Sequence, residues 1–339
     1  MSHGVRPALP PHAEKQHRWH GTADGTHDEP SRTGQNWAML PHPRTIPERR
    51  RCGMPQDSRR HENVAWLNAM PVRRLSQAAD NPSPTGVTLR YNRFMSLIVE
   101  RVDARDWSDE QMEELFSEGF PEFVTADRLV KRYIGRIREW FADLNVMLVD
   151  EQGTPVATGW GVPIRWDGRV ETLPSGYTAA AIRAVENHEQ GAEINTLVVC
   201  GAVVTPSRKG RGLAGETLTA LRGLAVDAGW RHVIAPVRPT LKSQYPLASI
   251  ESFMNWTRPD GTALDPWIRT HQRLGARILT AAPASQTMTG TVSEWEQWTG
   301  LAFPESGDYV IPQGLSLLRI DKETDQGVYI EPNVWMQHM

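Results

Sequence analysis

The stretch Val203–Ala225, VVTPSRKGRGLAGETLTALRGLA, sets Arg208, Lys209 and Arg211 around Gly210 and Gly212, between an apolar run and a helix-forming sequence. A helix start offers unpaired N–H groups and the positive end of its dipole, and so it holds anions, phosphate above all. Glycines there let backbone approach the ligand closely. The nucleotide-triphosphate loop pattern G-x-x-x-x-G-K-S/T is absent. The dinucleotide pattern G-x-G-x-x-G is present as Gly210, Gly212 and Gly215. That reading also needs an acidic residue at the end of the next strand to hold a ribose. The next strand instead ends Ala235-Pro236-Val237-Arg238. A nicotinamide-dependent oxidoreductase is therefore the weaker use of this loop.

The elements around the loop follow from pattern. Leu97–Val102 alternates as a strand, and Ser108 with Gln111 forms a capping-box spacing, stapled by Trp107 and Met112, for a helix ending near Gly119. From Thr125 to Leu144 the apolar residues share one helical stripe, which predicts a long amphipathic helix. A hairpin turning at Gln152-Gly153 follows, then an excursion over Asp167–Glu193 holding a short helix at Tyr177–Asn187. Strand Ile194–Val204, the loop, helix Leu213–Asp227 and strand Val233–Val237 make one parallel crossover. Asp265–Leu274 reads as a helix closed by Gly275, and strands at Ala276–Ala281, Leu315–Ile320 and Gly327–Ile330 end the chain. No internal repeat is visible.

Charge divides the 339 residues unevenly. Met1–Phe94 carries 14 Arg and Lys against 8 Asp and Glu, with 7 of the 11 histidines and 11 of the 25 prolines; the remainder carries 23 against 32. The first segment has too little apolar surface to offset its ordering entropy, so 1–94 is expected to be an unstructured basic leader, with Met95 at the head of the ordered chain. Its arginines lie scattered among His, Pro and acids, which argues against a nucleic-acid arm. No stretch has the length and apolarity of a membrane span or a secretory signal. Cys52 and Cys200 make no disulfide framework, and no Cys/His spacing suits a metal. A cytoplasmic location is the default expectation.

Strand, Pro206, Ser207, Arg208, Lys209, Gly210, Arg211, Gly212, Leu213 and helix together closely resemble the acetyl-CoA motif of the GNAT acetyltransferases, Q/R-x-x-G-x-G/A, with Ser207 at the first position. The resemblance covers about Leu97–Ala281. It implies an α/β (α+β mixed) GNAT acyltransferase fold over 95–339, a mostly antiparallel central sheet with helices on both faces, an insertion at 167–193 and an extended C-terminal part at 282–339. It also implies acetyl-CoA as acyl donor and no metal. The amides of Arg208, Lys209, Gly210, Arg211, Gly212 and Leu213 would take the pyrophosphate. Ala202, Val203 and Val204 would pair with the pantetheine arm, in a strand splayed from His232–Val237.

The family's usual proton donor to the departing thiolate is a tyrosine four residues before the glycine that ends the later helix; here that residue is His271. The strand carboxylate that some members use as base falls on Val198 and Val199, leaving Glu193 as the candidate, or water. Arg238, Lys242 and Tyr245 in VRPTLKSQYP are candidate acceptor residues, favouring a carboxylate-bearing substrate, with a solvated loop as the other reading. The expected reaction is direct acetyl transfer to a primary amine of a small molecule, without a membrane partner, by a chain that could dimerise as family members do. A non-catalytic acyl-CoA-binding module is the alternative.

Overall fold

The computed structural model describes residues 87–89, 97–116 and 119–339. Its ten strands are β1 Val87–Leu89, β2 Leu97–Arg101, β3 Asn145–Val149, β4 Pro155–Ile164, β5 Thr196–Val204, β6 His232–Val237, β7 Arg277–Gly290, β8 Gly307–Val310, β9 Leu317–Asp321 and β10 Gln326–Gln337. They form one sheet in the order β1-β2-β3-β4-β5-β6-β10-β9-β8, with β7 also paired to β10. Every pairing is antiparallel except β5 with β6. Of the expected leader only Val87–Leu89 is described, and it is a strand on β2 rather than unstructured chain; the rest lies outside the described residues.

Eight α-helices accompany the strands: α1 Asp109–Phe116, α2 Arg128–Lys131, α3 Ile134–Trp140, α4 Tyr177–Glu189, α5 Leu213–Asp227, α6 Ile250–Phe253, α7 Pro266–Arg273 and α8 Val292–Thr299. Alternation along β4 sends helices to opposite faces. A Cβ at Gly159 would meet Thr217 and Leu221 of α5. The neighbouring Trp160 instead packs on Phe116 of α1 and on Phe120, with ring centroids 6.4 and 6.2 Å away. The α4 helix buries Ala180, Ala181, Ala184 and Val185, small residues that let it lie close to the sheet. The main core runs from Leu97 to Met336, and a second cluster joins Phe123, Met288, Trp295, Phe303, Ile311 and Tyr329 around the C-terminal strands.

Two expectations change. The stripe over Thr125–Leu144 is broken into α2, α3 and flanking 3-10 turns: Asp127 starts α2 as its N-cap, its carboxylate accepting from the amides of Leu129 and Val130 and from the Thr178 hydroxyl, and the amides of Arg132 and Tyr133 then donate to the Leu129 and Val130 carbonyls in a tighter turn before α3. The short strand expected at Ala276–Ala281 is the start of β7, fourteen residues long and paired along β10 with two irregularities. The capping box at Ser108 is as read, with Ser108 and Gln111 exchanging backbone-to-side-chain bonds of 3.1 and 3.2 Å.

Candidate active site

Strands β5 and β6 pair over only Thr196–His232, Leu197–Val233 and Val198–Ile234, and then diverge. Beyond Val198, β5 is bonded to β4 alone, with Cys200 as the extra residue of a bulge between Trp160 and Gly161. A Cβ at Gly201 would fall on the Trp160 ring, so only glycine lets this indole lie against the bulge. The divergence opens a cleft of about 320 Å³ lined by Val199–Val204, Lys209, Ala214, Ala235–Arg238 and His271. At its mouth α5 begins without a side-chain cap on Gly212, whose φ of 84° matches Gly210 at 78° in the left-handed region. The Gly215 amide donates to the Gly212 carbonyl at 2.9 Å, so the amides of Leu213 and Ala214 are the ones left for a ligand.

The cleft passes into a second cavity of about 1060 Å³; Phe120, Cys200, Pro236 and Arg238 line both. Six carboxylates line this larger cavity: Glu110, Glu113, Glu114, Glu122, Asp127 and Glu331. Three cations face it, Lys131, Arg138 and Arg238. Arg238 is neutralised in place: its Nε donates to Glu331 at 2.6 Å and its Nη2 to the Gln313 carbonyl at 2.8 Å. Burial pushes the Cys200 thiol up to about 12, which keeps it un-ionised and unfit as a nucleophile.

No family model matches the chain. An arginine N-acetyltransferase, avaD of Aspergillus versicolor, is 29% identical over 247 residues, which is 65% of this chain and 84% of the relative. Among solved structures, the loading GNATL domain of CurA from Lyngbya majuscula is similar at TM-score 0.43, 15% identity, 68% of this chain and 91% of that one. A mutant agmatine N-acetyltransferase is similar at TM-score 0.33, 16% identity, 72% of this chain and 99% of that one. The similarity to an N-acetyltransferase agrees with the GNAT resemblance carried by the loop.

The residues named from the loop lie around this cleft. Ala202, Val203, Val204 and Lys209 line the cleft, and Gly210, Arg211, Gly212 and Leu213 lead into α5. Arg208 is not spare charge: its Nη2 lies 3.3 Å from Asp150 Oδ2, tying the loop to the β3–β4 turn. With that loop running into the splayed strands, the dinucleotide use of Gly210, Gly212 and Gly215 is withdrawn.

Other assignments need correction. Glu193 is exposed ahead of β5 and lines neither cavity. Seven residues of extended chain separate it from Cys200, about 23 Å at strand rise, so it is no base for this cleft. Lys242 is 1% exposed and spends its ammonium on the carbonyls of Tyr245 and Leu315, at 2.8 and 2.6 Å. Tyr245 packs on Phe253 and Trp256. Neither lines either cavity, and both instead secure the loop after β6. The acidic cavity went unread in the sequence. Its one local signal was the run Glu110, Glu113 and Glu114, spaced to share a face of α1.

His271 is placed by α7, whose first turn is capped by Asp265; the same carboxylate accepts from the Leu241 amide at 2.7 Å, joining α7 to the loop after β6. The imidazole is 1% exposed and lines the cleft. Burial, then the neighbouring His338, lowers its pKa to about 3, and burial lowers that of His338 to about 4. Unfolded histidines titrate near 6.5, so between about 6.5 and 4 the unfolded chain binds more protons than the folded one. Stability therefore rises with pH across that window and is lost on acidification. Thermal unfolding from pH 7 to pH 4.5 should show a steeper fall for the native chain than for a His271→Gln/His338→Gln variant; parallel curves would refute the linkage.

Proposed function

We propose that this GNAT enzyme moves an acetyl group from acetyl-CoA directly onto the amine of a small, positively charged acceptor, of the aminoguanidine or polyamine class. The observation that carries the acceptor class is the cavity beside the cleft, where six carboxylates outnumber three cations and Glu331 already neutralises Arg238. A cationic body gains attraction there that a carboxylate-bearing acceptor loses. The avaD relative is an arginine N-acetyltransferase, and arginine carries such a cationic guanidinium. The feature recognised here is thus the cation, in place of the carboxylate expected from Arg238, Lys242 and Tyr245.

The chain's own groups divide the work. The amides of Arg208 and Lys209, expected to take the pyrophosphate, already donate to the Thr205 and Pro206 carbonyls at 2.9 and 3.3 Å, so the segment from Gly210 to Ala214 would hold it. The free side of Ala202–Val204 would pair with the pantetheine as an added strand does, and a β5 amide would donate to the tetrahedral oxyanion. Acetyl-CoA supplies the activated acyl group. An amine with a pKa near ~10 must lose a proton before it attacks. No carboxylate stands on β5, so water among the cavity carboxylates carries that proton away. The high thiol pKa of Cys200 supports direct transfer over an acyl-enzyme.

The test is release of CoA thiol from acetyl-CoA with matched acceptors: agmatine, arginine and putrescine against phenethylamine and glutamate. We expect kcat/KM at least about tenfold higher for the dicationic agmatine and putrescine than for phenethylamine, narrowing in high salt. Preference for glutamate would sink the acceptor class. CoA binding without turnover on any amine would favour the non-catalytic module.

A further inference from the structure

His271 has company that no sequence motif announces. Its Nδ1 lies 2.8 Å from Nε2 of His338, the penultimate residue of the chain. The chain end is pinned for this contact: the His338 amide donates to the Val233 carbonyl at 2.8 Å, and the Val233 amide donates to the Met339 carbonyl at 3.3 Å. The His271 ring is further held edge-on by Trp267, 4.4 Å between centroids. Its other nitrogen, Nε2, is buried with no hydrogen-bond partner, in a residue that lines the cleft.

Two neutral imidazoles in contact through one nitrogen each must share a single proton between them. If His338 Nε2–H donates, His271 Nδ1 accepts and the His271 proton is forced onto Nε2. We propose that His338 is a positioning residue which fixes His271 as the Nε2–H tautomer, so that the imidazole donates a hydrogen bond to the CoA sulfur as it leaves. The inference rests on the acyltransferase reading above.

The role suits a neutral ring. Both histidines are held neutral by burial at working pH, so His271 acts as a fixed dipole rather than as an imidazolium. As the tetrahedral intermediate collapses, the C–S bond breaks and the sulfur keeps the electron pair. The His271 N–H bonds to that sulfur without giving up its proton. The amine's proton has gone to water, and the released thiolate takes one back from water, so charge and protons balance. With the opposite tautomer, the Nε2 lone pair would face a developing anion and oppose departure.

The experiment uses the full chain. In the native protein, ¹⁵N long-range correlation spectra of the imidazoles should show His271 protonated on Nε2 and His338 on Nε2. His338→Phe should lower kcat by about tenfold or more while KM for acetyl-CoA changes less than about twofold. His338→Gln, whose amide can still donate, should recover kcat to within about threefold of native. An active enzyme whose His271 carries its proton on Nδ1 overturns the proposal, as does native kcat in His338→Phe or no recovery in His338→Gln. If His338→Phe fails to fold, the tautomer in the native chain decides alone. Absence of turnover on every amine sinks the acyltransferase reading and this proposal with it.

Discussion

Replacing Gly210 and Gly212 together by aspartate should raise KM for acetyl-CoA by at least about 100-fold, while the protein stays folded. Nothing lies within 4 Å of a Cβ built at either position, so no steric clash opposes the side chains. Both backbones sit in the left-handed region, at φ of 78° and 84°, which costs a non-glycine residue about 1–2 kcal/mol. Aspartate is among the residues that tolerate it best. The two changes should therefore lower the melting temperature modestly. Binding is another matter. Each carboxylate would stand by the uncapped start of α5, where the proposed function seats the pyrophosphate, and like charges about 4 Å apart repel by roughly 4 kcal/mol at a protein surface. Calorimetric titration of acetyl-CoA beside a Gly210→Ala/Gly212→Ala control separates strain from charge. Native affinity in the aspartate variant would remove the loop from the donor site.

The second large effect is on stability. Glu331 is fully buried, and its carboxylate receives Arg238 Nε at 2.6 Å, Arg238 Nη2 at 3.3 Å and the Tyr329 hydroxyl at 2.9 Å. Arg238 directly follows β6 and Glu331 lies at an irregularity of β10, so the pair locks the two strands where the larger cavity begins. Burial alone would lower the arginine pKa; the adjoining Glu331 more than reverses that and holds it raised. Arg238→Met strands a buried carboxylate with one phenol donor and should cost about 3–5 kcal/mol in urea unfolding. Glu331→Leu strands the arginine and should cost a similar amount. The double variant should recover most of the loss, because apolar side chains of similar volume can replace a buried ion pair at little cost. Losses that simply add would show that the pair is not a coupled unit.

The route from sequence to fold was short where local chemistry is decisive. Ser108 with Gln111, the hairpin at Gln152-Gly153, and the strand–loop–helix of Val203–Asp227 are each specified by residues a few positions apart, and each is formed. Asp127 shows how such reading goes wrong. The apolar stripe around it has helical period, but one short carboxylate capping its own downstream amides restarts the helix.

The sequence by itself determined that a glycine-bearing basic loop joins β5 to α5, and its resemblance to the GNAT motif supplied acetyl-CoA and the position of His271 as expectations. The loop depends on contiguous backbone geometry. Only the tertiary structure decided which charges remain available. Arg208 is spent on Asp150, Arg238 on Glu331, Lys242 on two carbonyls and Asp127 on its own helix start, and the surplus of carboxylates over cations around one cavity comes from α1, the turn at Glu122, Asp127 and β10. It also brought His338 to His271 across 67 residues. A side chain's charge can be read from its letter. Whether that charge meets a partner or a substrate depends on strand pairings that bring distant segments together.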